Sequence, residues 1–158
     1  MADYVQNKFL DELGQEFAEP IGFRNTDNLV PEIIIENMKT VCENDEIPAS
    51  FRVAEVEISK GIFNKATFKA VEISHPNPPQ SYCNQLYILY PDGIRFFYVG
   101  SSKAFLEMNN YADAMAGRGG GFKARLNAFA GIRPDEEPYE EEMKWHEAVY
   151  SVFLSLLE

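Results

Sequence analysis

Residues 86–99 are the clearest structural signal in the chain. They comprise the run Leu86-Tyr87-Ile88-Leu89-Tyr90, the tripeptide Pro91-Asp92-Gly93, and the run Ile94-Arg95-Phe96-Phe97-Tyr98-Val99. Proline fixes φ, aspartate bonds to its local backbone and glycine accepts a positive φ, so the tripeptide predicts a tight β-hairpin. Both runs are apolar on both faces, which predicts a position inside a sheet that is covered on at least one side.

A second hairpin is predicted directly upstream. In residues 51–59 apolar side chains alternate with polar ones, as in a strand with one wet face. Residues 60–65 predict a turn, and residues 66–74 predict the antiparallel return strand. Three prolines in residues 75–79 predict a surface crossing instead of a further central strand. The two hairpins together predict a four-stranded antiparallel sheet.

Helices are predicted on both sides of these strands. Val5, Phe9, Leu13 and Phe17 are four residues apart, which predicts a first helix over 3–18, and residues 19–30 look irregular. A second helix is predicted over 31–43, although the β-branched residues within it leave a strand as an alternative. Further helices are predicted over 103–116, 122–130 and 137–157.

Two of the later helices carry distinct apolar faces. The helix at 122–130 carries Phe122, Leu126 and Phe129 on one face. The last helix carries two apolar stripes, which predicts that it packs across the sheet or joins a partner chain. The element order is therefore α-α-β-β-β-β-α-α-α, and the predicted class is α+β with the helices mainly on one face.

The length of 158 residues predicts a single domain over 1–158. It divides into an acidic helical part (1–48), the two hairpins (49–100) and a helical C-terminal part (101–158). No apolar run is long enough to cross a membrane, and the start lacks the pattern of a secretory signal. Two cysteines, Cys42 and Cys83, are too few for a disulfide framework, so a soluble, cytoplasmic protein is expected.

The net charge of −11 is unevenly distributed along the chain. Acidic side chains dominate residues 1–48 and 134–158, whereas basic ones are in excess over 49–133. The acidic whole argues against broad nucleic-acid binding, because phosphates would be repelled, but it leaves a local basic site open.

A glycine-rich loop is the first candidate site. Three consecutive glycines next to basic side chains and a helix start can let backbone N–H groups approach a phosphate. The candidate anion-binding residues are Arg118, Gly119, Gly120, Gly121, Lys123 and Arg125. A flexible connector between two helices is the alternative interpretation of the same loop.

The hairpin supplies a second candidate. Gln85-Leu86-Tyr87 is followed by ten residues and then by Tyr98-Val99-Gly100, a spacing that resembles the paired strands of GIY-YIG nucleases. The resemblance implies two tyrosines near a metal-bound water, with a divalent ion such as Mg²⁺. It further implies that Arg125 is the family's arginine and that Glu147 is its metal ligand.

An acidic run supplies the third candidate. It can dock on a basic protein surface or imitate phosphates, and it can equally be a solvated helix start. The candidate partner-binding residues are Asp135, Glu136, Glu137, Glu140, Glu141 and Glu142. His146 lies on an apolar stripe of the last helix and is expected to be a hydrogen-bonded core histidine. Cys42 and Cys83 are expected to be packed, not reactive.

The leading hypothesis from the sequence is a non-enzymatic protein that binds another macromolecule through charge and its amphipathic terminal helix. An inhibitor, an immunity-type protein, a chaperone-like protein or an adaptor would fit, with a basic protein as the expected partner. The alternative is a protein that acts on or binds phosphate-bearing substrates, either a GIY-YIG-like nuclease or a nucleotide binder. A third possibility is a homodimer joined through residues 143–157.

Overall fold

The computed structural model describes residues 3–6, 16–22, 30–59, 65–91 and 93–157. Within these ranges the strands are β1 (Asp3–Gln6), β2 (Glu16–Gly22), β3 (Ser50–Ser59), β4 (Lys65–Ser74), β5 (Asn84–Tyr90) and β6 (Gly93–Val99). The helices in the same ranges are α1 (Pro31–Asn44), α2 (Lys103–Met115), α3 (Phe122–Phe129) and α4 (Glu137–Ser155).

The strands form one sheet in the order β1-β3-β4-β5-β6-β2. The predicted hairpins are confirmed as pairs: β3 pairs antiparallel with β4 from Ser50↔Ser74 to Ser59↔Lys65, and β5 pairs antiparallel with β6. β4 and β5 are also antiparallel neighbours. The α+β class is therefore confirmed, but the prediction of only four strands is wrong, because β1 and β2 extend the sheet at its two edges.

The predicted helix over 3–18 is wrong wherever the structure describes that segment. β1 pairs parallel with β3, and β2 pairs antiparallel with β6, so both lie on edges that the hairpins leave open. Phe17 keeps a core role from within β2, because its ring lies 5.7 Å from that of Phe96 and 4.8 Å from that of Tyr98. Residues 19–22 are likewise strand instead of irregular chain, and Pro20 is tolerated because β2 is an edge strand.

The helices predicted from residue 31 onward are confirmed, with ends shifted by one or two residues. In α1 the side chains of Ile34, Met38 and Cys42 are buried at a spacing of four, and Pro31 occupies the first turn. A helix with this stripe buries three apolar side chains against the sheet. That packing outweighs the β preference of the β-branched residues in its first turns, so the strand alternative is wrong.

The main core lies between α1, α4 and one face of the sheet. Phe153 on α4 packs edge-on against Tyr87 of β5 and Phe96 of β6, with ring centroids 4.8 and 5.6 Å apart. Trp145 of α4 donates from its indole nitrogen to the carbonyl oxygen of Pro48 at 2.6 Å. α4 is thereby fixed to both the sheet and the chain that leads into β3.

Candidate functional site

The two hairpin tyrosines lie on the sheet face that α4 covers. Tyr98 pairs with Gln85 and Tyr87 pairs with Phe96, so the tyrosines are diagonal neighbours on one face. Tyr87 is fully buried, and its hydroxyl donates to Gln85 Oε1 at 2.7 Å. Burial raises the pKa of Tyr87 well above its ordinary value, and burial also raises the pKa of Tyr98. Both phenols therefore stay protonated at neutral pH, and Tyr87 is enclosed by protein.

Arg125 and Glu147, the other residues of the nuclease interpretation, lie on the surfaces of different helices. Arg125 is exposed on α3, which packs against α2, whereas Glu147 is exposed on α4. A cavity of about 500 Å³ is lined by Tyr98 and the start of α2, but not by Tyr87, Arg125 or Glu147. The nuclease interpretation stays a prediction.

The described parts of the chain do not give Glu147 the companion ligands that Mg²⁺ prefers. No group of three or more His, Cys, Asp and Glu side chains in these ranges could hold a metal ion. The predicted Mg²⁺ therefore has no set of three such ligands among the described residues.

A buried carboxylate connects α4 to the start of α2 and to β5. Glu142 Oε1 accepts from the hydroxyl of Ser102, and its Oε2 accepts from the backbone N–H of Cys83 at 2.9 Å. His146, one turn along α4, donates from Nε2 to the same Oε2 at 2.9 Å. Three donors thus converge on a side chain with no exposure to solvent. Glu142 therefore belongs to the interior and not to the surface of the acidic run.

The other side of the His146 ring continues this network. The amide nitrogen of Gln85 lies 2.9 Å from His146 Nδ1 and 3.0 Å from the His146 carbonyl oxygen. Tyr87 donates to the amide oxygen of Gln85, so that nitrogen is the donor toward His146 and Nδ1 is the acceptor. Nε2 of His146 is accordingly the donor toward Glu142, and the prediction of a hydrogen-bonded core histidine is confirmed. In a Ser-His-acid triad the serine bonds to the histidine, whereas here Ser102 bonds to Glu142.

Cys83 makes the stability of the protein sensitive to alkaline pH. Burial, with a smaller effect of the Glu142 charge, raises the pKa of its thiol to about 11. Above the ordinary thiol pKa of about 8.5 the unfolded chain loses this proton and the folded chain keeps it. Stability is therefore intact below about pH 8.5 and declines as the pH rises through about 11.

We expect the denaturant midpoint to fall between about pH 8 and about pH 11, and to fall less steeply in Cys83→Ala. The pKa values of other buried groups are raised as well and contribute to the remaining slope: Cys42, Tyr82, Tyr87, Tyr98 and Tyr150. A midpoint that does not change with pH over this range would show that these groups titrate alike in the folded and unfolded states.

The glycine-rich loop is held closely against α2. Gly119, Gly120 and Gly121 have φ values of 113°, 89° and 88°, which side chains other than glycine rarely adopt. A Cβ on Gly120 would lie 2.1 Å from the carbonyl oxygen of Asn110, so the close approach itself requires glycine. The loop is therefore a connector with a defined path.

The bases of the predicted anion site lie around this loop. Arg118 is exposed and lies 3.6 Å from Asp113, and Lys123 and Arg125 are exposed on α3. Lys123 lines a cavity of about 390 Å³ together with Gly120 and Gly121, but Glu107 lines it too and would oppose an anion. Anion binding here stays a prediction.

α3 turns its large apolar side chains toward solvent. Phe122 is 78% exposed and Phe129 is 94% exposed, and Leu126, on the same stripe, is 52% exposed. The side chains of Ala124 and Ala128 are more covered than these. In an isolated monomer, burying a phenylalanine side chain stabilises the fold more than burying an alanine side chain. α3 therefore exposes the side chains whose burial would stabilise the monomer most.

Residues of both charge signs lie near α3 along the chain. Residues 114–134 contain four bases and no acid: Arg118, Lys123, Arg125 and Arg133. The exposed acids of the next segment are Asp135, Glu136, Glu137, Glu140 and Glu141. Arg133 and Glu136 form an ion pair of 3.2 Å where the two segments meet. We call the exposed side chains of residues 118–141 the α3 surface.

The sequence predicted that the last helix packs across the sheet or joins a partner chain. The stripes of α4, with Trp145, Val149, Val152 and Phe153, are buried against its own chain, as the first alternative states. The stripe of α3 was visible in the sequence at the spacing of Phe122, Leu126 and Phe129. Its signal for exposure was the short length of eight residues and the alanines on its opposite side.

None of the helices in the described ranges combines the length and apolar character that crossing a bilayer requires. Comparison with models of known protein families, with curated proteins and with solved structures finds no match.

Proposed function

We propose that this protein binds another protein, as an inhibitor or adaptor does, and that the α3 surface is its contact site. The observation that carries this proposal is the exposure of Phe122, Leu126 and Phe129 on a helix that buries none of its side chains fully. Contiguous exposed apolar surface with a charged rim is typical of protein interaction sites.

The energetics favour α3 as the anchoring element. Phe122 and Phe129 together present roughly 300 Å² of ring surface to water. Central aromatic side chains of this kind carry most of the binding energy in protein interfaces, while the surrounding polar groups exclude water. The cavity of about 390 Å³ beside Phe122 adds a concave feature that a partner's side chain can fill.

The charged rim supports a protein partner over a nucleic acid. Five exposed acids adjoin the four bases, so an extended phosphate backbone would meet repulsion beside the basic residues. The acids favour basic side chains on the partner, as the sequence predicted, and the bases favour acidic ones. Nucleotide binding at the glycine-rich loop and GIY-YIG-like cleavage remain the alternative functions.

Capture from a nuclease-treated lysate tests the proposal. We expect a discrete protein to be retained by the immobilised wild type, and Phe129→Asp to reduce its retention by about tenfold or more. Ile33→Asp is the matched control, because Ile33 is an exposed apolar residue, at 46%, on α1. Retention should survive that change.

Two results would contradict the proposal. One is equal retention by wild type and Phe129→Asp, which would remove α3 from the contact. The other is retention that disappears when nucleic acid is digested, which would favour the phosphate-binding alternative. Steering by charge also predicts that capture weakens as the salt concentration rises.

A further inference from the structure

We infer that the α3 surface binds a second copy of this chain, in a two-fold dimer that sets the basic half of each surface against the acidic half of the other. The inference rests on the proposed function of the α3 surface as a protein contact site. It adds the identity of the partner and the arrangement of the two molecules.

The charged residues of the α3 surface follow a definite order along the chain. The basic half (residues 118–133) has four bases and no acid, and the acidic half (residues 135–141) has five acids and no base. The halves are consecutive in the chain and are joined by the ion pair of Arg133 with Glu136. Along the chain the surface therefore passes from a basic stretch, which contains α3 and its apolar side chains, to an acidic stretch at the start of α4.

The charges of the α3 surface restrict the kind of partner that it accepts. A uniformly basic partner is repelled by the basic half, and a uniformly acidic one by the acidic half. In a two-fold dimer, if residue i of one copy contacts residue j of the other, then residue j of the first copy contacts residue i of the second. The two copies of the surface therefore face each other in opposite directions. The rotation places each half opposite its complement, and it lays α3 of one copy against α3 of the other.

The size of the apolar contact also fits a dimer. Ile132, at 56% exposed, follows shortly after α3 and adds to the exposed apolar side chains Phe122, Leu126 and Phe129 on each copy. Stable interfaces bury about 800 Å² per partner, with an apolar centre and a charged rim. The two phenylalanines expose roughly 300 Å², and Leu126, Ile132 and the charged ends add to that area. Together these side chains form a contact of the size that such a dimer needs.

The arrangement differs from a dimer joined through residues 143–157. Trp145, Val149, Val152 and Phe153 are buried between α4 and the sheet of their own chain. Using them for a dimer would require α4 to leave the core. α3 is available without such a rearrangement.

The mass in solution is the first measurement. Sedimentation equilibrium or light scattering on the purified full chain should give a mass that rises with concentration toward twice the 18.0 kDa of one chain. Phe129→Asp should hold the protein at the mass of one chain, and Ile33→Asp should behave as the wild type. A wild type with the mass of one chain at every soluble concentration overturns the inference.

Charge exchange tests the arrangement itself. Lys123→Glu/Arg125→Glu makes the basic half less basic, and Glu137→Lys/Glu140→Lys makes the acidic half less acidic. Each double variant alone should weaken dimerisation by about tenfold or more, because like charges then face each other. An equimolar mixture of the two should recover it, because each altered half meets its complement in the other chain. Glu32→Lys/Glu36→Lys, exposed on α1, is the control and should have no such effect.

The outcomes separate this inference from the proposed function. A mixture that stays monomeric, or a dimer that ignores the α3 variants, overturns the two-fold arrangement. A monomeric wild type that still captures a different protein through Phe129 overturns the dimer and leaves the proposed function standing. A monomeric wild type whose captures ignore Phe129→Asp overturns both.

Discussion

Glu142→Gln will lower the free energy of unfolding by about 1–3 kcal/mol, because it alters a buried acceptor on which three donors converge. The backbone N–H of Cys83, the hydroxyl of Ser102 and the ring of His146 all donate to this carboxylate. A glutamine of the same shape presents an amide nitrogen where one of these donors needs an oxygen. Urea unfolding at neutral pH measures the effect.

Glu141→Gln is the matched control for Glu142→Gln. Glu141 is the preceding residue of α4, carries the same charge and is exposed. Its loss should change the free energy of unfolding by no more than about 0.5 kcal/mol. Equal effects of the two substitutions would mean that the network around Glu142 contributes nothing beyond net charge.

Phe153→Ala will cost about 3–5 kcal/mol of stability, whereas Phe129→Ala will cost almost nothing. Phe153 is 1% exposed and packs against the rings of Tyr87 and Phe96, so its removal leaves a cavity in the main core. Phe129 is 94% exposed and loses no packing within its own chain. Thermal or urea unfolding of the two variants, at a concentration where the wild type is monomeric, measures the difference.

The same pair of variants should reverse its order in a binding experiment. Phe129→Ala should weaken capture and dimerisation in a protein of full stability, and this separates a contact role from a folding role. A large loss of stability in Phe129→Ala would show that the ring is covered within the monomer, which would contradict the basis of both proposals.

Several elements could be predicted because their signals are local. The alternation in residues 51–59 and the Pro91-Asp92-Gly93 tripeptide predicted β3 and the β5–β6 pair. The spacing of Ile34, Met38 and Cys42 likewise predicted α1. These patterns depend on neighbours within a few residues, and the two strands of each hairpin are close together in the sequence.

The strands at residues 3–6 and 16–22 could not be predicted in this way. Val5, Phe9, Leu13 and Phe17 fit a helical stripe, yet β1 and β2 pair with strands that lie far away in the sequence. An edge that is open for pairing exists only after the hairpins have formed. The pairing of Phe17 with the rings of β6 therefore belongs to the tertiary structure and not to the local pattern.

The candidate site shows the same division. Glu142 and His146 are one helical turn apart, so their contact was within reach of the sequence, but Cys83, Ser102 and Gln85 reach them from about 40 to 60 residues away. Their convergence placed Glu142 in the interior, whereas its neighbours in the acidic run stayed on the surface.

The sequence by itself determined the apolar rows of α3 and α4 and the strand pairs β3–β4 and β5–β6. It also determined the segregation of charge into 118–133 and 135–141. Only the tertiary structure decided which rows the chain covers with its own atoms. Amphipathic spacing specifies that a face is apolar, but whether that face meets a core or water depends on where the remaining elements pack. α4 lies across the sheet and is covered, and α3 packs against α2 and leaves Phe122 and Phe129 exposed.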